Sequence, residues 1–187
     1  MGQLKQLLPL GSKPIIRHCL DNLAVAGIRN TVIVLGQNGS KILDSVKELP
    51  VQVVFNKTPD SEMAESVRIG LHTLHGSSTG VLVHLSDHPL VSVETLKSLV
   101  QCHVETPDRI IIPLYKGRRG HPPLFPKPVI DEVFDGLNLR DIINKDSSRI
   151  RFLNVDDEGV VLDIDTKEDY ERICERSSAQ NPADDCS

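Results

Sequence analysis

The stretch VLVHLSDHPLV, residues 81–91, begins as a strand and ends at an acid. Apart from His84, which reads as a strand residue, its first half is apolar on both faces and suits a strand covered from both sides. Pro89 has no N–H to give a ladder and stops the run, which sets Asp87 at the carboxyl end of a central strand. In open α/β sheets that end is where ligands bind. An aspartate there can hold Mg2+, which takes one or two carboxylates together with phosphate oxygens and water. The same residue would serve equally well as the cap of the following turn.

Runs of the same kind recur along the chain: TVIVLG at 31–36, VQVVFN at 51–56, GVLVHLSD at 80–87 and RIIIPL at 109–114. Between them lie segments with helical spacing: Pro14 to Ala26 with Gly27 as the stop, Ser40 to Leu49, Met63 to Leu74, and Ser92 to Val104. This alternation predicts an α/β fold with a mostly parallel sheet and helices on both faces. After Pro113 the pattern breaks into YKGRRGHPPLFPKP, read as an inserted loop where specificity would reside. Two short helical stretches and a late strand, RIRFLNV at 149–155, follow. DIDTKEDYERICERSS then reads as a turn and a helix, with Thr166 as N-cap and Asp169 completing a capping box.

A chain of 187 residues with 39% hydrophobic content supports one continuous core. The expected domain spans 1–176, with 177–187 as a flexible polar tail. A net charge of -5 argues against a broad nucleic-acid surface, so a small anionic ligand is the easier partner. The four cysteines form no Cys-x-x-Cys pair and read as reduced thiols. No run approaches the roughly 18 apolar residues of a membrane span and no signal-peptide pattern opens the chain, so a cytoplasmic protein is expected.

Other candidate residues have two readings each. Asp163 and Asp165 precede a helix, where acids satisfy free N–H groups or hold a metal. Lys116, Arg118, Arg119 and His121 make a solvated basic turn or a phosphate grip, since guanidinium binds phosphate bidentately and glycine lets amides approach. Ser66 and Arg68 open a helix after a strand, and Ser66 could simply bond its own backbone. Lys5 reads as an ordinary surface lysine. No Ser-His-Asp or Cys-His spacing supplies a nucleophile.

Taken in order, MGQLKQLLPLGSKPII, AGIRNTVIVLG, SVRIGL, LSDHPLV, YKGRRGHPPLF and LDIDTKEDY resemble the blocks of the MobA-like nucleotidyltransferases, most closely the molybdenum cofactor cytidylyltransferase branch. The resemblance implies a Rossmann-like three-layer αβα domain, GT-A-like, that moves CMP from CTP (or GMP from GTP) to the phosphate of molybdopterin. It implies Lys5, Asp87 and Asp165 as catalytic residues and Gly2, Lys5, Ser66 and Asp87 at the nucleotide. It further implies Arg118, Arg119, Gly120 and His121 at the acceptor, and Mg2+ on Asp87 and Asp165 with Asp163 close by. Chains of this family open with a central strand and a Leu-Ala-Ala-Gly-x-x-x-Arg-Met-Gly loop. Only Met1 and Gly2 match its close, so an N-terminal truncation is expected. Glu62 stands where glycine is frequent and His88 where glutamine is common. Two alternatives accompany the resemblance: a non-catalytic molybdenum cofactor chaperone serving a molybdenum hydroxylase, and transfer to another acceptor such as a sugar phosphate.

Overall fold

The computed structural model describes residues 4–59, 61–74, 76 and 78–180. A 3-10 turn at Lys5–Leu7 leads into a small antiparallel pair, β1 (Pro9–Leu10) and β2 (Lys13–Pro14). Helix α1 (Ile15–Val25) follows, burying Ile16, Leu20 and Leu23 along one stripe. It ends in a Schellman motif: Ile28 N–H bonds Leu23 O at 3.0 Å, Gly27 N–H bonds Ala24 O at 3.0 Å, and Gly27 sits at φ +87°.

The alternation continues as β3 (Val32–Leu35), α2 (Ser40–Val46), β4 (Gln52–Phe55), α3 (Met63–Thr73), β5 (Gly80–Leu82) and α4 (Val93–Glu105). Then come β6 (Ile110–Tyr115), β7 (Arg118–Arg119), β8 (Leu124–Pro126), α5 (Lys127–Ile130), α6 (Leu139–Lys145), β9 (Ile150–Asn154) and α7 (Lys167–Gln180). The expected strand 80–87 is shorter than its apolar run, and α7 extends past residue 176.

Alternation of side chains along β6 builds the layers. Ile111 and its partner Leu124 face Leu99 and Cys102 of α4. Ile110, Ile112 and Phe125 face the other way, toward Ala64 and Leu71 of α3, Ile130 of α5 and Ile142 of α6. The αβα arrangement is therefore the one expected.

The sheet itself is mixed where the sequence suggests a mostly parallel one. β3 pairs β4 in parallel and β6 pairs β9 in parallel, but β8 runs antiparallel to both β5 and β6. The segment read as a loop explains this. Lys116 (φ 46°) and Gly117 (φ 79°) form a two-residue turn of the type that matches strand twist. The chain then returns along β6 as β7 and β8, interrupted at Gly120–Pro123. Two prolines there cannot donate to a ladder, so the strand bulges.

Among the described residues β3–β4 and the five-stranded set share no strand pairing; residues of β3 and β5 both line a cleft of ≈ 590 Å³. At the chain's far end α7 covers the first hairpin. Ile173 packs with Leu10, Ile15 and Ile164, and the Tyr170 hydroxyl donates to Pro9 O. No helix among the described residues is long and apolar enough to cross a membrane.

Candidate functional site

Asp87 follows β5, as its sequence position suggests, but β5 ends five residues earlier at Leu82 and is, among the described residues, an edge strand rather than the expected central one. Its backbone carbonyl accepts from Ile164 N–H at 3.2 Å, which draws Asp163 and Asp165 to the same end of the sheet. The Asp87 carboxylate is less settled: Oδ1 is sealed from solvent, accepts no hydrogen bond, and lies 4.0 Å from His88 Nε2. A buried carboxylate oxygen without a partner is costly unless a cation completes it.

The bulge after β7 delivers His121 to this spot. Its backbone N–H donates to Val160 O at 2.7 Å, and its ring stands 5.1 Å from the His88 ring. Gly120 is obligatory beside it, because a Cβ would meet Val160 at 2.6 Å. Burial, then the neighbouring His88, hold the His121 imidazole below its usual range, while Asp87 and Asp163 pull it back up. His84 is pushed down to about 4, first by burial. Its Nδ1 lies 2.7 Å from Leu85 O, the hydrogen bond of an Nδ1–H tautomer, which leaves Nε2 as the buried unpartnered nitrogen. Facing Asp87 from α1, the Cys19 thiol is pushed up to about 12 by burial and then by the Asp87 charge, so it stays protonated.

Lys5 donates to Asp165 Oδ1 at 2.9 Å, an exposed pair that adds little stability. Asp163 is exposed, and the capping box at the start of α7 forms, with Thr166 and Asp169 bonding each other's backbone N–H. Ser66 Oγ accepts from Asn56 Nδ2 at 3.0 Å and lines the central cleft. Arg68 is engaged by Val133 O and Glu65. Arg118 and Arg119 are exposed on β7, with the Arg119 guanidinium over the Phe152 ring at 5.0 Å. Gly2 lies outside the described residues.

The structure thus brings Asp87, His121, Asp163 and the Lys5–Asp165 pair to one end of the sheet, while no contact links Arg118 or Arg119 to Asp87. Among the described residues no three His, Cys, Asp or Glu side chains form a ready metal cluster. Sequence reading noted His88 only as standing where glutamine is common, and passed over Asn56. The second had a signal, a polar residue closing the apolar run VVF; it is 3% exposed and also donates to Ser61 Oγ at 2.7 Å.

The sequence profile of the MobA-like NTP transferase domain matches residues 1–149. The chain belongs to the MobA-like NTP transferase family. Membership makes nucleotidyl transfer the reaction class, and the matched part carries Asp87 and His121 but ends before Asp163 and Asp165. Similar chains span nearly its whole length. The Rv0371c protein of Mycobacterium tuberculosis H37Rv superposes with a TM-score of 0.81 at 29% identity, over 94% of this chain and 90% of that one. A complex of Rv0371c with manganese superposes at 0.77 with 27% identity, over 93% of each. Nicotine blue oxidoreductase of Paenarthrobacter nicotinovorans is 27% identical over 90% of this chain and 87% of its own length. The bifunctional protein GlmU of Exiguobacterium sibiricum is 29% identical over 58% of this chain, which covers 24% of that longer protein.

Proposed function

We propose that this MobA-like chain transfers CMP from CTP to the phosphate of molybdopterin and releases pyrophosphate. The observation that carries the reading is the sealed, partnerless Asp87 oxygen at the carboxyl end of β5. Asp87 and Asp165, with Asp163 close by, would hold Mg2+, which when bound offsets charge on the triphosphate. The manganese complex of Rv0371c supports a divalent ion in this role.

The acceptor phosphate is its own nucleophile. One of its oxygens bonds to the α-phosphorus of CTP, the α–β bridging bond breaks, and its electron pair leaves with pyrophosphate. The protein therefore supplies alignment and charge stabilisation, and needs no triad. Lys5, paired with Asp165 in this structure, is the cation that would move onto the nucleotide phosphates. Gly2 and Ser66 are assigned to the nucleotide, and Arg118, Arg119, Gly120 and His121 to the acceptor.

Incubation with Mg2+, molybdopterin and radiolabelled CTP or GTP tests this. Pyrophosphate and a dinucleotide product are expected, and Asp87→Asn should slow the reaction by on the order of 100-fold or more. Absence of pyrophosphate with every nucleotide and every acceptor, sugar phosphates included, removes the reading. Cofactor binding without nucleotide binding in calorimetry would instead give a carrier for a molybdenum hydroxylase. A redox reading has one observation in its favour, the oxidoreductase name of a relative matched over most of its length. It requires electron transfer from a reduced nicotinamide or flavin with no nucleoside triphosphate present.

A further inference from the structure

Asn56 follows β4 directly and is 3% exposed. Its backbone N–H bonds Leu35 O at 2.8 Å, which carries the pairing with β3 one step further. The side chain is bonded on both of its faces. Thr58 N–H donates to Oδ1 at 3.0 Å, while Nδ2 donates to Ser61 Oγ at 2.7 Å and to Ser66 Oγ at 3.0 Å. A backbone N–H can only donate, so the atom that meets Thr58 is the amide oxygen and the NH2 group faces the two serines. Both amide hydrogens are then spent on hydroxyl oxygens.

That arrangement sets the polarity of the hydroxyls. A serine oxygen that accepts from the Asn56 NH2 cannot give its own proton back to it, so the proton turns away from Asn56. Among the described residues neither Ser61 nor Ser66 donates to another group. Ser66 stands near the start of α3 and lines the central cleft. A hydroxyl proton kept free at the wall of a cleft is completed by an acceptor on the ligand, and a donor placed against it leaves both groups unsatisfied.

The two pyrimidines differ in this respect. Cytosine carries two neighbouring acceptors, the O2 carbonyl and the bare N3, whereas uracil has an N–H at position 3. We infer that Asn56 is a positioning residue for base choice, holding the Ser61 and Ser66 hydroxyls as donors toward the O2–N3 edge of cytosine and against uracil, which rests on the assignment of Ser66 to the nucleotide proposed above. Asn56 itself touches no substrate.

Calorimetry on the full chain with Mg2+ and either CTP or UTP, without acceptor, tests this. The two nucleotides match in size and charge, and CTP should bind more tightly by on the order of tenfold. Asn56→Asp keeps the shape and still accepts from Thr58 N–H, but its second oxygen makes the serines donate inward and offer only lone pairs to the base. Its added charge opposes both triphosphates alike, so the CTP-to-UTP ratio is the readout, and it should fall to about one or invert. A mere staple of the 57–62 segment onto α3 would weaken both nucleotides equally. In a Ser66→Ala background the ratio should already be lower, and adding Asn56→Asp should move it less than in the parent. Should Asn56→Asp fail to fold, Ser61→Ala and Ser66→Ala decide by the same ratio with Asn56 in place. A ratio that none of these changes lowers overturns the inference, as does equal binding of CTP and UTP by the unaltered chain. Selective CTP binding with no pyrophosphate on adding acceptors rejects the transfer reaction alone. Pyrophosphate released equally from CTP and UTP rejects the role of Asn56 alone.

Discussion

At the scale of single residues, the site is defined by polar atoms that the protein leaves unsatisfied. His84 gives a pH signature. Its folded value of about 4 lies below the ordinary 6.5, so between these values the unfolded chain binds more protons. Stability is then fully present above about pH 6.5 and falls as the pH drops toward 4, by at most about 3 kcal/mol and less where the cleft admits water. Melting temperatures from pH 7 to 4.5 should decline, and His84→Gln should flatten part of that slope; identical slopes would exclude His84 as a source. The Cys19 thiol should resist iodoacetamide at pH 8 in the folded protein, with mass-spectrometric labelling reaching the half-buried Cys174 before Cys19. Asp87 was legible in the sequence because an acid soon after an apolar strand run falls at a sheet end, although the strand itself stops at Leu82, short of Pro89. The His88–His121 contact was not, since it joins residues brought together by a bulge and a turn far apart in the chain.

At the scale of elements, glycine positions show how tightly the site's supports are stacked. The 3-10 turn at Glu158–Val161 presses on the segment before α4, where a Cβ on Gly159 would meet Leu90 O at 2.2 Å. Asp157 ties the same two pieces: its carboxylate accepts from Ser92 N–H at 2.8 Å, Thr95 Oγ1–H at 2.7 Å and Gly159 N–H at 2.9 Å. Asp157→Ala should cost about 2–3 kcal/mol. Gly159→Ala, forced against backbone, should cost about 1–3 kcal/mol, seen as a melting point lower by roughly 2–10 °C. Gly36→Ala, with nothing within 4 Å of the added carbon, is the near-neutral control. Helix and strand periods along the chain announced most elements, because core contacts and local propensity agree in them. The β7–β8 return was missed because its glycines and prolines signal a loop equally well; only pairing with β6 distinguishes a bulged strand.

For the whole molecule, the hydrogen-bonded sheet is divided, and stability should divide with it. β6 is held on both sides, by β8 and β9, and its Ile110 and Ile111 are fully buried, whereas among the described residues β3 and β4 pair only with each other. Hydrogen exchange should therefore find β3, β4 and α2 opening at a lower free energy than β6, β8 and β9; a single uniform opening energy would contradict this. The layer order could be read from the sequence, but the split could not, since apolar runs do not say which strands are neighbours. The grip of α7 on the first hairpin has a practical side. Cys174 sits in that contact, packed near Leu10 and Ile164. A bulky maleimide dye attached there would wedge α7 away from the first hairpin and unsettle the neighbouring Lys5–Asp165 pair, so thiol-coupled fluorophores intended as passive reporters would themselves act as perturbants.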